Sequence, residues 1–156
     1  MRKRIILVIA ISLAFSMLFT VSCAENETEN QVNDKISSQL LTQVNLRKEQ
    51  IAEPSSDRLE LMRNMGMQVD KLEIQRIFIY LEQAPNASQV EELEAMGLTL
   101  YLDSWIPPVG AHPYGFLTAD MPVDKLEALA EKDYVVKLDT AERKLEPQGG
   151  SKPQTE

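Results

Sequence analysis

The strongest constraint on the fold is a series of strand-like and helix-like patterns between residues 74 and 141. Residues 74–81 are rich in β-branched and aromatic side chains, and they place Ile77, Ile79 and Leu81 on one face, as a half-buried strand does. Further strands are predicted at residues 98–103, 115–119 and 135–138, and helices at residues 89–97 and 123–133. The predicted order of elements is therefore βαββαβ.

This order predicts an α+β domain of the ferredoxin-like kind, in which two helices cover one face of a four-stranded antiparallel sheet. Each strand of such a sheet needs only one apolar face. In the second strand, Leu98, Leu100 and Leu102 are expected to point inward. The first helix is expected to begin with a capping box formed by Ser88 and Glu91.

The N-terminus has the pattern of a bacterial export signal. Basic residues at positions 2–4 precede an apolar stretch at residues 5–19, which is short for a membrane span. The following Thr20-Val21-Ser22-Cys23 resembles the lipobox of bacterial lipoproteins. Cys23 is then expected to be the lipidated first residue of an exported, membrane-anchored lipoprotein that faces the periplasm or the cell exterior. The alternative is an ordinary secretory signal, which would leave Cys23 as a free thiol.

Between the signal and the sheet, the sequence predicts a tether and a helical extension. Residues 23–35 are largely polar and are expected to form a flexible tether. Residues 36–70 are expected to form one or two short helices, because apolar side chains recur at mostly helical spacing over residues 36–51 and Asp57 and Glu60 have the spacing of a capping box. The sheet domain is predicted to span residues 71–147 and to fold without this extension, and residues 148–156 are expected to form a disordered tail.

The charge of the chain argues against nucleic acid as a partner. The sequence has 16 basic and 24 acidic residues, a formal net charge of −8. Loss of the three basic residues of the signal would leave 13 basic residues against 24 acidic ones, a formal charge of −11. Affinity for nucleic acid comes largely from Lys and Arg at the phosphates, so a chain this acidic is a poor candidate.

The sequence also lacks the residue patterns of an enzyme. His112 is the single histidine and Cys23 the single cysteine, so the usual nitrogen and sulfur ligand clusters of a metal site are absent from the sequence. Asp103, Ser104 and His112 lie close together along the chain, but they are not accompanied by a nucleophile elbow or by glycines that would form an oxyanion hole. We therefore expect no catalytic residues, no cofactor and no enzymatic activity.

The sheet domain resembles the subtilisin propeptides and the stand-alone peptidase inhibitors related to them. The resemblance covers about half of the chain. It lies in residues 77–81 and 90–97, the run Tyr114-Gly115-Phe116-Leu117-Thr118-Ala119-Asp120-Met121-Pro122, residues 123–133, and the closing Val135-Val136-Lys137-Leu138-Asp139.

The resemblance implies a way of binding a protease. The open face of the sheet would dock on the enzyme, and the extended segment after the last strand would occupy the active-site cleft. The expected docking residues are Phe78, Tyr80, Tyr101 and Phe116, and the expected cleft segment consists of Thr140, Ala141, Glu142, Arg143, Lys144 and Leu145.

Two structural alternatives and two functions remain open at this point. The aromatic rings of the open face would instead be covered if the N-terminal helices or a second copy packed on them. The Pro-rich loop that holds Trp105 suits either a cap over one sheet edge or a recognition loop.

The expected function is that of a membrane-anchored inhibitor or folding assistant of a subtilisin-like serine protease acting in trans. The alternative is a non-enzymatic interaction lipoprotein of the cell envelope with a non-protease partner.

Overall fold

A computed structural model describes residues 34–143. The helices and strands of these residues are numbered in chain order. Their bounds are α1 Ser38–Ala52, α2 Ser56–Asn64, β1 Ile74–Leu81, α3 Ala87–Ala95, β2 Thr99–Ile106, β3 Gly115–Pro122, the 3₁₀ helix Val123–Lys125, α4 Leu126–Ala130 and β4 Val135–Thr140.

The strands form one sheet in the order β2-β3-β1-β4, and every neighbouring pair is antiparallel. β1 and β3 occupy the centre and pair over their full length, from Ile74 opposite Pro122 to Leu81 opposite Gly115. The prediction of an α+β protein with a four-stranded antiparallel sheet is confirmed, and the arrangement is compatible with a ferredoxin-like fold.

Alternation along the two central strands separates a buried face from an open face. Ile77 and Ile79 of β1 and Leu117, Ala119 and Met121 of β3 point to the buried face and are 0% exposed. The open face consists of the intervening half-buried residues, which are Arg76, Phe78 and Tyr80 of β1 and Phe116, Thr118 and Asp120 of β3. The period-two pattern of these strands thus places apolar side chains in the core, as expected from the sequence.

Helices complete the core over the buried face. Leu93 of α3 and Leu129 of α4 are 0% exposed, and so are Leu40 and Val44 of α1. Met62 of α2 is also fully buried. Helical spacing accounts for this, because residues three and four apart share one face of a helix.

The helical extension belongs to the same compact unit as the sheet. Ile36 forms a parallel bridge to Leu138 at the outer edge of β4, and the Ser37 N–H donates to the Leu138 carbonyl at 2.9 Å. From there α1 carries Leu40 and Val44 into the core. The structure therefore argues against the prediction that residues 71–147 fold alone, because helical side chains outside that range fill part of the core.

The predicted start of α3 was two residues too late. Asn86 is the N-cap, and its side chain accepts a hydrogen bond from the Gln89 N–H at 3.0 Å. The Gln89 side chain accepts one in return from the Asn86 N–H at 3.0 Å. This capping box replaces the predicted pair Ser88 and Glu91, because Asn caps a helix as well as Ser does and Gln reaches back as Glu does.

The prediction that Leu98, Leu100 and Leu102 all point inward is also wrong for the last of these residues. Leu98 is buried and Leu100 is half-buried, but Leu102 is 49% exposed. A large bulge explains the change, because pairing passes from Tyr101 opposite Thr118 directly to Ile106 opposite Phe116. The extra residues in the bulged strand break the two-residue alternation, as bulges at sheet edges do.

No helix among residues 34–143 is long and apolar enough to cross a membrane. The predicted signal, the predicted lipidation site Cys23, most of the predicted tether and the predicted C-terminal tail lie outside the described residues.

Candidate protein-binding face

Three of the four predicted docking residues form one cluster on the open face. Phe78 and Phe116 meet edge to face, with ring centroids 5.1 Å apart and an interplanar angle of 72°. Tyr80 lies opposite Phe116 in the strand register, and their centroids are 5.4 Å apart. We call Phe78, Tyr80 and Phe116 the aromatic cluster. Offset and edge-to-face geometries of this kind are the favourable ones for aromatic pairs.

The fourth predicted docking residue, Tyr101, belongs to a separate polar cluster on the same face. Arg76 pairs with Asp120 through two hydrogen bonds, Nε to Oδ1 at 2.7 Å and Nη2 to Oδ2 at 3.0 Å. The Tyr101 hydroxyl donates to Asp120 Oδ2 at 2.8 Å, and the Arg76 guanidinium lies 5.4 Å from the centre of the Tyr101 ring. Tyr101 therefore orients charged neighbours and is not in the aromatic cluster.

Electrostatics keep the groups of this polar cluster in their ordinary charge states near neutral pH. The hydrogen bond from Arg76 is the main reason that the pKa of Asp120 is lowered, since it favours the charged carboxylate. The hydrogen bond to Asp120 is the main reason that the pKa of Tyr101 is raised. Neither side chain has the pKa near neutrality that suits a general acid or base. Charge-assisted hydrogen bonds therefore hold the three side chains of this cluster in place.

The loop between β2 and β3 forms a cavity against the aromatic cluster. The cavity has a volume of about 190 Å³. The loop turns at Gly110, which has φ of +60°, and the His112 N–H donates to the Val109 carbonyl at 3.1 Å. The cavity is lined by Tyr80 and Phe116 of the sheet and by Ile106, Pro107, Val109, His112 and Tyr114.

Within this region Trp105 packs inward while its neighbours stay exposed. Its indole lies against Gly115, where a Cβ would come within 2.6 Å of both the ring and the Ile106 carbonyl oxygen. Gly115 is therefore required by close packing. Ile106 is 48% exposed and Val109 is 63% exposed. The packing of Trp105 on Gly115 fits the alternative of a cap over one sheet edge, and the alternative of a recognition loop stays a prediction.

Ser104 stabilises the bulge of β2 and does not form part of a catalytic triad in the structure. Its hydroxyl donates to the Tyr101 carbonyl at 2.6 Å and accepts from the Thr118 N–H at 2.8 Å. The Ser104 side chain thereby replaces a backbone hydrogen-bond partner that the bulge removes from the pairing of β2 with β3. His112 lies in the loop cavity, and no group of three potential ligands within residues 34–143 is placed to hold a metal ion.

Positive side chains border the aromatic cluster on the β4 side. Lys137 lies opposite Tyr80 in the register, and its ammonium is 5.4 Å from the centre of the Tyr80 ring. Asp139 Oδ2 accepts a hydrogen bond from Arg143 at 2.6 Å and lies 3.7 Å from the Lys137 ammonium. Burial opposes ionisation of Asp139, but hydrogen bonds from Ser37 and Arg143 outweigh it and lower the pKa.

The predicted cleft segment does not begin as an exposed tail. Thr140 is 0% exposed as the last residue of β4, and the Ala141 N–H donates to the Arg76 carbonyl at 3.1 Å. Glu142 is 5% exposed. Only Arg143 is exposed among the described residues of this segment, and Lys144 and Leu145 lie outside them.

Glu142 is buried by a polar network that sequence reasoning missed. Its carboxylate accepts two hydrogen bonds from Arg47 of α1, at 2.7 and 2.9 Å, and others from the Gln68 and Arg76 N–H groups. Arg47 is 0% exposed and also donates to Gln75 Oε1 at 2.8 Å. The helical spacing carried a signal for this, because Arg47 follows Leu40 by seven residues and so shares its buried face.

The N-terminal helices do not cover the aromatic cluster within the described residues. Gln43 and Arg47 of α1 bond to Gln75 and Thr140, which lie on the buried face and not on the open face. The start of α1 lies along the edge of β4. The structure therefore contradicts the alternative in which these helices pack on the aromatic rings.

Comparisons of this chain with protein-family models, with curated proteins and with solved structures found no match.

Proposed function

We propose that this chain is a non-enzymatic protein-binding module that docks through its open face, and that its partner is a subtilisin-like serine protease, which it inhibits or helps to fold in trans. The observation that carries the proposal is the aromatic cluster on a sheet face that no described helix covers. Clustered aromatic side chains are the usual anchors of protein interfaces. The choice of protease as the partner depends on the resemblance of residues 77–139 to subtilisin propeptides.

The proposal includes the finer assignment of the fold as ferredoxin-like. Two observations support it. From β1 onward the elements follow as strand, helix, strand, strand, helix and strand. Read from the other edge, the strand order is β4-β1-β3-β2. Because such folds host many unrelated functions, the fold alone does not choose among partners.

The burial of Glu142 changes which residues are proposed to enter the protease cleft. Thr140 and Glu142 are held by bonds inside the fold, and a protease would reach them only after those bonds break. We therefore assign docking to Phe78, Tyr80 and Phe116 and assign the cleft segment to residues from Arg143 onward, including Lys144 and Leu145.

Inhibition kinetics test this proposal. Purified protein should inhibit at least one member of a panel of subtilisin-like proteases, and Tyr80→Ala should weaken inhibition about 5- to 150-fold, which corresponds to about 1–3 kcal/mol for an interface anchor. The matched control is Leu61→Ala, because Leu61 is 48% exposed on α2, away from the open face, and its loss should change inhibition less than 3-fold.

A chain that ends after Arg143 should still bind the protease but should no longer compete with small peptide substrates. This shortened chain retains Glu142 and therefore the described fold. If the full chain neither binds nor slows any protease of the panel, the protease assignment is wrong.

One observation favours the second candidate, a cell-envelope interaction module with a non-protease partner. Half of the segment that is predicted to lie in a protease cleft is held inside the fold. The aromatic cluster, in contrast, can dock on a partner that has no active-site cleft. This candidate predicts that Tyr80→Ala weakens binding to the true partner while truncation after Arg143 has no effect on binding.

We also propose that Cys23 carries lipid and holds the module at a membrane. The lipobox-like residues before Cys23 support this. Mass spectrometry of the protein from its native membranes should find Cys23 at the N-terminus with acyl chains attached, and Cys23→Ala should abolish the acyl mass. A mature N-terminus elsewhere without lipid would contradict this part of the proposal.

A further inference from the structure

The loop cavity beside the aromatic cluster has the size and lining of a pocket for one large apolar side chain. Its volume of about 190 Å³ exceeds the roughly 150 Å³ of an engineered protein cavity that accommodates benzene. Tyr80, His112, Tyr114 and Phe116 contribute rings to its wall. Ring-lined walls favour an aromatic occupant, because offset and edge-to-face contacts add to the apolar burial.

The charge near this cavity differs from the acidic charge of the whole chain. No carboxylate is among the lining residues in the described part of the chain. Lys137 stands beside the Tyr80 wall and is 49% exposed, and the adjacent Asp139 is already shared with Arg143. The carboxylate that follows Tyr80 most closely in sequence, Glu82, lines a different recess together with Asp133. Lys137 does not line the cavity itself, but it lies next to Tyr80, one of the lining residues, and it shares Asp139 with Arg143.

We propose that this cavity receives an aromatic side chain from an acidic segment of the partner protein, with Lys137 pairing with a carboxylate next to that side chain. This inference deepens the proposed function and rests on it in taking the open face as the docking surface. The net charge of −8 does not prevent such a contact. At physiological ionic strength charges beyond about 8 Å are largely screened, so the local cation decides the interaction.

Short peptides test this inference without a protease. The purified protein would be titrated with acetyl-Asp-Phe-Asp-amide and with two matched peptides. In one of them Lys replaces both Asp, and in the other Ala replaces Phe. Binding would be followed by ¹H–¹⁵N NMR spectra. The acidic aromatic peptide should shift the amide signals of the non-proline residues within 106–116 and of Tyr80, with a dissociation constant of about 1 mM. The Ala peptide should bind at least about 10-fold more weakly, since it lacks the anchor.

Charge-reversal variants locate the contact. Lys137→Glu should weaken binding of the acidic peptide by about 3- to 10-fold and should reduce the salt dependence. Lys48→Glu is the matched control, because Lys48 is 39% exposed on α1 and lies 3.7 Å from Glu127, just as Lys137 lies 3.7 Å from Asp139. Val109→Glu places a carboxylate at the cavity and should abolish the shifts, without a risk to folding at a residue that is 63% exposed.

Equal binding of the basic and acidic peptides, or no shifts at the cavity up to about 5 mM peptide, would overturn the inference. Its failure can be told apart from failure of the proposed function. A protein that binds the acidic aromatic peptide but inhibits no protease refutes the protease assignment alone. A protein that inhibits a protease but does not bind the peptide refutes this inference alone.

Discussion

Glu142→Ala should lower the free energy of unfolding by about 3–5 kcal/mol, the usual cost of removing one partner of a buried ion pair. The reason is that Arg47 is 0% exposed, so its guanidinium would remain buried without a counter-charge. The Gln68 and Arg76 N–H groups would lose their acceptor in the same step. Urea denaturation followed by circular dichroism measures the change.

Two controls separate charge from shape in this experiment. Glu53→Ala removes an exposed carboxylate just after α1 and should change the free energy of unfolding by less than about 0.5 kcal/mol. The double substitution Arg47→Met with Glu142→Leu should recover much of the loss, because apolar side chains of similar volume often replace a buried ion pair at little cost. A loss below about 1 kcal/mol for Glu142→Ala would mean that the pair is not buried in solution.

Removal of the N-terminal helices should abolish cooperative unfolding. A fragment of residues 71–143 retains the whole sheet but loses Leu40 and Val44, both 0% exposed in the full structure, and leaves Glu142 without Arg47. It should therefore show no sigmoidal urea transition, whereas residues 35–143 should show one. Cooperative unfolding of the shorter fragment with comparable stability would contradict this expectation.

A pair of adjacent leucines tests the same point within the full chain. Leu40→Ala should lower the free energy of unfolding by about 2–5 kcal/mol, because it opens a cavity between α1 and the sheet. Leu41→Ala is the matched control, since Leu41 is 37% exposed and directly follows Leu40 in α1. Its effect should stay below about 1 kcal/mol. Equal effects at the two positions would show that α1 is not packed as described.

Strand periodicity predicted the buried face correctly for the two strands that pair with a neighbour on both sides. β1 and β3 are central, so one face of each must be buried, and the alternation of Ile77 and Ile79 with Phe78 and Tyr80 is enough to assign the faces. It failed at Leu102 because β2 is an edge strand, where a bulge costs few hydrogen bonds. Local alternation carries no information about such a bulge.

The candidate site was predictable in part for the same reason. Side chains alternate between the two faces of a strand, and this alone places Phe78, Tyr80 and Phe116 on the face opposite the core. The three rings therefore come into contact once β1 and β3 pair. The cavity was not predictable, because it depends on how the loop with Val109 and His112 folds back over the sheet. Helical spacing could have placed Arg47 on the buried face of α1, but it could not identify the partners of Arg47, since they are 24 to 95 residues away along the chain.

The sequence by itself determined the class of this protein, because the spacing of apolar residues sets which elements form and which face of each is buried. The tertiary structure alone decided that α1 belongs to the core, and that Glu142 is a structural residue where the sequence suggested the start of an exposed tail. The physical reason is that a charged side chain is assigned to solvent by default, and only a partner brought near by folding makes its burial favourable. Arg47 and Glu142 are 95 residues apart along the chain and become neighbours only through the fold.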